Sequence, residues 1–117
     1  MRFHRPLLFI ATLFGAAGVA LAALGSHSAD SNISIAASFL QLHAAALVAL
    51  SLLPKGRLLR LGPWVLAVGT LLFAGDLITR SQLGSALFPM AAPLGGGAMI
   101  LGWLLVATGA LLTRQES

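Results

Sequence analysis

Two ionisable side chains, His43 and Asp76, lie inside long apolar stretches of the sequence. A charge within a membrane span is costly, and such groups often mark a site of proton transfer or ligand binding. Asp76 is followed four residues later by Arg80, so on a helix the two side chains share a face and can form an ion pair. Two interpretations therefore stay open for each group: a proton carrier or ligand contact, or a structural hydrogen bond or ion pair.

We expect these groups to belong to a polar cluster near one membrane surface. His27 follows the first apolar stretch directly, at a depth similar to that of Arg80. A rise of 1.5 Å per residue places His43 about 12 Å and Asp76 about 22 Å into their segments, which enter from opposite sides. The predicted functional cluster has His27, Asp76 and Arg80 at the outer surface, with His43 beneath them.

Other kinds of catalytic or metal site have little support in the spacing. Ser26, His27 and Asp30 are the residue types of a hydrolytic triad, but they are neighbours in one loop, whereas a triad holds its base opposite the nucleophile on separate elements. The histidines and methionines show no metal-ligand spacing. Gln41 lies about 200° around its helix from His43, so the two share no face. The chain has no cysteine, which removes thiolate chemistry and disulfides. We expect no catalytic residue, no cofactor and no bound metal.

The composition decides what kind of element must position these groups. Of 117 residues, 58% are hydrophobic and 9% are charged, and the mean hydropathy is +0.96. A soluble domain has roughly 25% charged residues. Too few charges are present to cover a soluble globule, and disorder would need low hydrophobicity with high charge. The chain is therefore predicted to be a membrane protein of one domain, residues 1–117.

Four apolar stretches predict four transmembrane helices, at about residues 7–24, 35–53, 61–78 and 94–112. Each is close to the roughly 20 residues that a helix needs to cross a bilayer. Backbone polar groups in lipid must be satisfied within the segment, which favours helices. The expected fold class is all-α, an integral membrane four-helix bundle. The first stretch, about 18 residues long, is expected to be a retained span because it is long for a signal peptide.

The basic residues predict the orientation. All but Arg80 fall before the first span, between the second and third, or after the fourth: Arg2, Arg5, Lys55, Arg57, Arg60 and Arg114. The positive-inside rule then places both termini on the cytoplasmic side, in a bacterial inner membrane. The sequence pI near 11.7 is explained by this topology and not by nucleic-acid binding. The loop from Lys55 to Arg60 is also able to contact anionic headgroups.

Small residues predict where the helices meet. Glycines recur every seven residues in two segments, at Gly62 and Gly69 and at Gly95, Gly102 and Gly109. Small residues mark close helix contacts in lipid, and a seven-residue repeat favours left-handed packing. Packing within the chain and a homodimer face are both open. The candidate packing or binding notch consists of Pro93, Gly95, Gly96 and Gly102. Trp103 is interpreted as a packing residue, and the apolar loop 80–93 as a short helix or re-entrant segment in the outer interface.

The order of several short motifs resembles domain-of-unknown-function family 423, which includes animal transmembrane protein 256. The matching motifs run along most of the chain: Gly25-Ser26-His27, His43-Ala44, Leu72-Phe73-Ala74-Gly75-Asp76, Pro93-Leu94-Gly95-Gly96 and Gly102-Trp103. The resemblance implies a small inner-membrane protein of four helices and implies no activity.

The sequence therefore favours a non-enzymatic membrane protein that binds a lipid, a hydrophobic ligand or a membrane-protein partner, or that forms homo-oligomers. The bilayer itself is a partner, and nucleic acid is not expected. The alternative is a small transporter or a proton or ion conductor that uses the buried His43 and Asp76.

Overall fold

The computed structural model describes residues 2–28 and 30–113. It contains four α-helices: α1 (Arg5–Gly25), α2 (Ser31–Leu50), α3 (Arg57–Leu83) and α4 (Ala91–Leu112). Each is long and apolar enough to cross a membrane, which confirms an all-helical chain with four possible spans. The helices begin two to four residues before the predicted apolar stretches, and α3 continues to Leu83 beyond the expected end at residue 78.

Local sequence explains where the helices begin and end. The Asp30 side chain caps α2 by accepting a hydrogen bond of 2.9 Å from the Asn32 N–H. Gly84 ends α3 in the left-handed conformation, with φ of 75°, which glycine adopts without a steric penalty. The loop 84–90 then leads directly into α4. The apolar segment predicted as a short helix or re-entrant piece is thus the last turn of α3, a loop without helix, and the first turn of α4.

The helices form a flattened bundle, 52 × 28 × 18 Å in extent. The main contacts join helices that are consecutive in the chain, α1 with α2, α2 with α3 and α3 with α4, and α1 also touches α3. Over the described ranges, no Cα atom of α4 lies within 8 Å of one in α1 or α2. The bundle is therefore open along one side, and α2 and α3 occupy its middle.

Glycines line the contact between α3 and α4. A Cβ atom at Gly102 would lie 2.7 Å from the backbone nitrogen of Leu66, and one at Gly69 would lie 2.7 Å from that of Met99. A Cβ at Gly95 would be 2.6 Å from the Phe73 nitrogen. The seven-residue stripes on the two helices therefore face each other within one chain. The structure favours the intramolecular alternative for these stripes over a homodimer face.

Two members of the candidate notch lie outside this contact. Gly96 has no atom within 4 Å of a Cβ built on it, and Pro93 is exposed in the first turn of α4. Of the four notch residues, only Gly95 and Gly102 lie in the contact between α3 and α4. The stripe repeats every seven residues, so Gly96 and Pro93 are rotated away from α3.

Candidate functional site

Both carboxylate oxygens of Asp76 are occupied by hydrogen bonds. The side chain is completely buried. Oδ2 accepts a hydrogen bond of 2.7 Å from Arg80 Nε, so the ion pair expected from the four-residue spacing is present. Oδ1 accepts a hydrogen bond of 2.8 Å from the backbone N–H of Leu87. Asp76 thus ties the loop between α3 and α4 to the end of α3.

The hydrogen bond between Asp76 and Leu87 was not predicted from the sequence. Its donor is a backbone group eleven residues away, and a backbone N–H gives no residue-type signal. The apolar character of the loop indicated only that it lies near the membrane. The geometry assigns Asp76 a loop-anchoring contact in addition to the predicted ion pair.

His43 is buried in the middle of the protein and is also fully bonded. Its Nδ1 lies 2.9 Å from the Phe39 carbonyl oxygen, and its Nε2 lies 3.2 Å from Nε1 of Trp103. An indole N–H only donates, so Nε2 is the acceptor and the proton of the neutral imidazole is on Nδ1. This arrangement joins α2 to α4 through side chains, although the two backbones do not approach each other.

Aromatic rings surround the His43 imidazole. Phe39 stacks parallel to it with a centroid distance of 5.9 Å, and Trp103 lies at 5.8 Å. Phe73 of α3 packs on Phe39 at 4.7 Å. Trp103 is therefore a hydrogen-bond donor as well as the packing residue that the sequence suggested. To accept a proton, His43 would have to give up the bond from Trp103.

Of the predicted cluster, the structure joins Asp76 to Arg80, whereas the approach of His27 to that pair stays a prediction. His27 is exposed in the turn after α1, and its side chain makes no hydrogen bond to Asp76 or Arg80 within the described part of the chain. His27 follows α1, which lies mainly against α2 and barely touches α3. Asp76 and Arg80 form one unit, and His43 belongs to a separate aromatic group. Residues 2–28 and 30–113 contain no group of three or more His, Cys, Asp or Glu side chains that could hold a metal ion.

The opposite end of the molecule carries a basic cleft that the cluster prediction did not include. The cleft has a volume of about 450 Å³ and is lined by Lys55, Gly56, Arg57, Arg60, Leu61 and Trp64. It lies at the start of α3, whose first turn has no acidic residue and no side-chain cap. The N-terminus of a helix has a partial positive charge. The cleft is therefore an electropositive recess with an aromatic wall.

His4 connects the N-terminal segment to this cleft. Its backbone N–H donates a hydrogen bond of 2.8 Å to the Ser51 carbonyl at the end of α2. Its ring meets the Trp64 ring edge-on at 5.7 Å. Partial burial, and then the nearby charge of Arg60, lower the pKa of His4. The start of α1, the end of α2 and the start of α3 are thus held together at the basic end.

Comparison with known proteins identifies the family of this chain. Residues 8–96 match the family described as "Protein of unknown function (DUF423)". The UPF0382 inner membrane protein YgdD of Escherichia coli (strain K12) is 27% identical over 123 residues, covering 96% of this chain and 94% of the relative. The same protein of Shigella flexneri matches equally well. No solved structure matches the chain. With four helices able to span a bilayer and a family match over most of its length, the protein is a membrane protein that belongs to the DUF423 family.

Proposed function

We propose that this protein is a non-enzymatic, inner-membrane binding protein that holds the headgroup of an anionic phospholipid in its basic cleft. The observation that carries the proposal is the convergence of Lys55, Arg57 and Arg60 beside Trp64 in one recess. Arginine guanidinium groups bind phosphate oxygens through paired hydrogen bonds. Tryptophan is enriched at the level of lipid headgroups, and basic pockets on the cytoplasmic side of membrane proteins bind anionic headgroups.

The size and chemistry of the cleft fit this ligand. Its volume of about 450 Å³ lies within the usual range for small-ligand sites. Its lining combines cationic groups with the apolar surface of Leu61 and Trp64, as a phosphate with attached acyl chains requires. The lining holds no carboxylate or hydroxyl side chain that could pair with a base as a nucleophile. This composition supports binding and not catalysis.

We propose an orientation with both termini in the cytoplasm, as the charge distribution indicates. The described basic residues at one end are Arg2, Arg5, Lys55, Arg57 and Arg60. Arg114, which also entered the sequence prediction, lies outside the described residues. At the other end Arg80 is paired with Asp76. The positive-inside rule then directs the cleft to the cytoplasmic leaflet.

The alternative function, transport or conduction through His43 and Asp76, has less support. A proton carrier needs a free lone pair and a path to water. Both nitrogens of His43 and both oxygens of Asp76 are engaged in hydrogen bonds. These contacts favour structural roles for both residues. Proton flux in proteoliposomes that disappears in His43→Ala would restore the alternative.

Native mass spectrometry from nanodiscs tests the binding proposal. Nanodiscs of phosphatidylcholine with a minor fraction of phosphatidylglycerol supply the anionic lipid. We expect one phosphatidylglycerol molecule to remain bound to the wild type and to be lost from Arg57→Gln/Arg60→Gln. The matched control, Arg2→Gln/Arg5→Gln, removes the same charge at the same end but outside the cleft and should retain the lipid. Equal retention in both variants, or none in the wild type, would contradict the proposal.

A further inference from the structure

Gln41 places an unsatisfied amide in the middle of the membrane. It is the eleventh residue of α2, about 15 Å from the start of the helix, and its side chain is exposed on the surface of the protein. Within the residues that the structure describes, its amide has no hydrogen-bond partner. No water is present at this depth in a bilayer, so a lipid-facing amide is costly. The Gln41 amide therefore needs a hydrogen-bond partner from outside the single chain.

The Gln41 side chain is directed into a groove between α1 and α2. Its Cγ would lie 2.8 Å from a Cβ atom at Gly18, so the stem of the side chain packs on α1 at this glycine. The groove has a volume of about 510 Å³ and is lined mainly by small residues, among them Gly15, Ala16 and Ala45. Another helix can therefore approach closely at the position where the amide is presented.

Thr12, the other polar residue in the groove, does not satisfy Gln41. Its hydroxyl donates to the carbonyl oxygens of Leu8 and Phe9 in its own helix, at 3.0 and 2.9 Å. Such bonds within the helix are common for threonine in membranes and use its one proton. The two amide protons of Gln41 remain without an acceptor.

We propose that a second copy of this chain covers the groove, and that Gln41 pairs with Gln41 of the partner subunit. A side-chain amide has both donors and an acceptor, so two of them can satisfy each other. Two copies inserted with the same orientation are related by a two-fold axis along the membrane normal, which brings a residue near the axis to its own copy at equal depth. A lipid acyl chain would fill the groove, but it has no polar group and would leave the Gln41 amide unpaired.

The position of the glycine stripes supports this choice of face. The stripes of α3 and α4 are covered by each other within the chain. The small residues of the α1–α2 groove are accessible, and the groove carries no ionisable side chain that would repel its own copy. The proposed dimer face is therefore on α1 and α2, whereas the seven-residue glycine pattern suggests a face on α3 and α4. The proposal does not depend on lipid binding at the basic cleft.

Dilution-dependent energy transfer between labelled copies in phosphatidylcholine vesicles tests the dimer. We expect the wild type to dimerise and Gln41→Leu to raise the dissociation constant about tenfold, as the loss of interhelical hydrogen bonds in a membrane would. Gln41→Asn, which keeps the amide, should recover part of the affinity. Helical content by circular dichroism should be unchanged, because Gln41 is on the surface. A monomeric wild type, or a dimer unaffected by Gln41→Leu, would overturn the proposal.

Cysteine crosslinking tests the face directly, because the chain has no cysteine of its own. Ala45→Cys lies in the groove, whereas Leu104→Cys lies on the exposed face of α4. Both positions are about 20 Å from the start of their helices, so they have matched depth. We expect oxidation to link copies of Ala45→Cys and not copies of Leu104→Cys. Crosslinking through Leu104→Cys alone would place the dimer on α4 and overturn the proposal.

Discussion

The two helix hairpins, α1–α2 and α3–α4, pack their helices together in different ways. In the α3–α4 hairpin both helices contribute glycines, and the backbones meet through Gly69 on one side and Gly95 and Gly102 on the other. In the α1–α2 hairpin only α1 contributes glycines, because α2 has none. There the close contact is limited to Gly18 and Gly25, and a groove remains open beside it. Glycine on both faces closes a helix pair, and glycine on one face leaves room for a further partner.

The loops that join the helices of each hairpin also differ, because one is held by a long-range hydrogen bond and the other is not. Asp30 makes no bond across its own hairpin, since its carboxylate accepts from the Asn32 N–H two residues away and its other neighbour, the Ser81 hydroxyl, belongs to α3. Asp76 acts over eleven residues, since it holds Leu87 from within α3. The second hairpin is therefore fixed by its loop as well as by its helix contact. We expect substitutions in the second hairpin to have the larger effects.

The largest effect is expected for Gly102→Ala. The new methyl group would lie 2.7 Å from the Leu66 backbone nitrogen, so the helices must separate. Overpacking of this kind costs about 3 kcal/mol. Gly18→Ala should cost less, because its shortest contact, at 2.8 Å, is with the Gln41 side chain and the nearest backbone atom, the Gln41 nitrogen, lies at 3.1 Å. Unfolding in mixed micelles, followed by circular dichroism, measures both. Gly96→Ala is the control and should match the wild type, and an equal loss in all three variants would contradict the comparison.

Asp76→Ala is expected to have the next largest effect. It removes the acceptor of the Leu87 N–H and leaves Arg80 without its carboxylate. Loss of hydrogen bonds to a charged group costs about 2 kcal/mol. The Leu87 amide should then exchange its hydrogen faster. Asp76→Asn retains an oxygen for Leu87 and should keep more of the protection. If amide exchange at Leu87 stayed slow in Asp76→Ala, the loop would be held by other contacts.

Trp103→Phe is expected to weaken the protein by about 1 kcal/mol, since it removes one hydrogen bond and keeps an aromatic ring. The Trp103 N–H donates a hydrogen bond to His43, and this bond links the side chains of α4 and α2. A double-mutant cycle with His43→Leu isolates this interaction from the packing changes. A coupling energy near zero would show that the bond contributes nothing to stability.

The smallest effect is expected from acid titration of Asp30 in the first hairpin. The Ser81 hydroxyl, and then the Asn32 N–H, hold the pKa of Asp30 below its ordinary value of 3.8. The contribution to stability is therefore complete above that ordinary value and is lost as the pH falls through the lower folded-state pKa. Thermal unfolding between about pH 5 and about pH 2 should show a larger loss in the wild type than in Asp30→Asn, because the paired Asp76 carboxylate contributes equally to both proteins. A pH dependence equal in both proteins would exclude Asp30 as its source.

The sequence predicts some features of this structure well, for physical reasons. The four helices follow from apolar length, and the Asp76–Arg80 pair follows from helical spacing. Helix rotation and packing order are not encoded in hydropathy, because lipid-facing and buried positions are both apolar. The bond between Trp103 and His43, sixty residues apart, therefore could not be predicted. For the same reason, hydropathy could not determine where His27 lies relative to the Asp76–Arg80 pair.

The length of α3 has a consequence for the membrane around the protein. Its 27 residues extend about 40 Å, whereas the hydrocarbon core of a bilayer is about 30 Å thick. The other helices, of 20 to 22 residues, fit that thickness closely. The extra length lies at the two ends of α3, where Arg57, Arg60 and Arg80 stand, so these ends extend into the headgroup layers while the apolar middle crosses the hydrocarbon. A bilayer thicker than the usual 30 Å or so would draw the Asp76–Arg80 pair into hydrocarbon, so membrane thickness is expected to affect this end of the protein first.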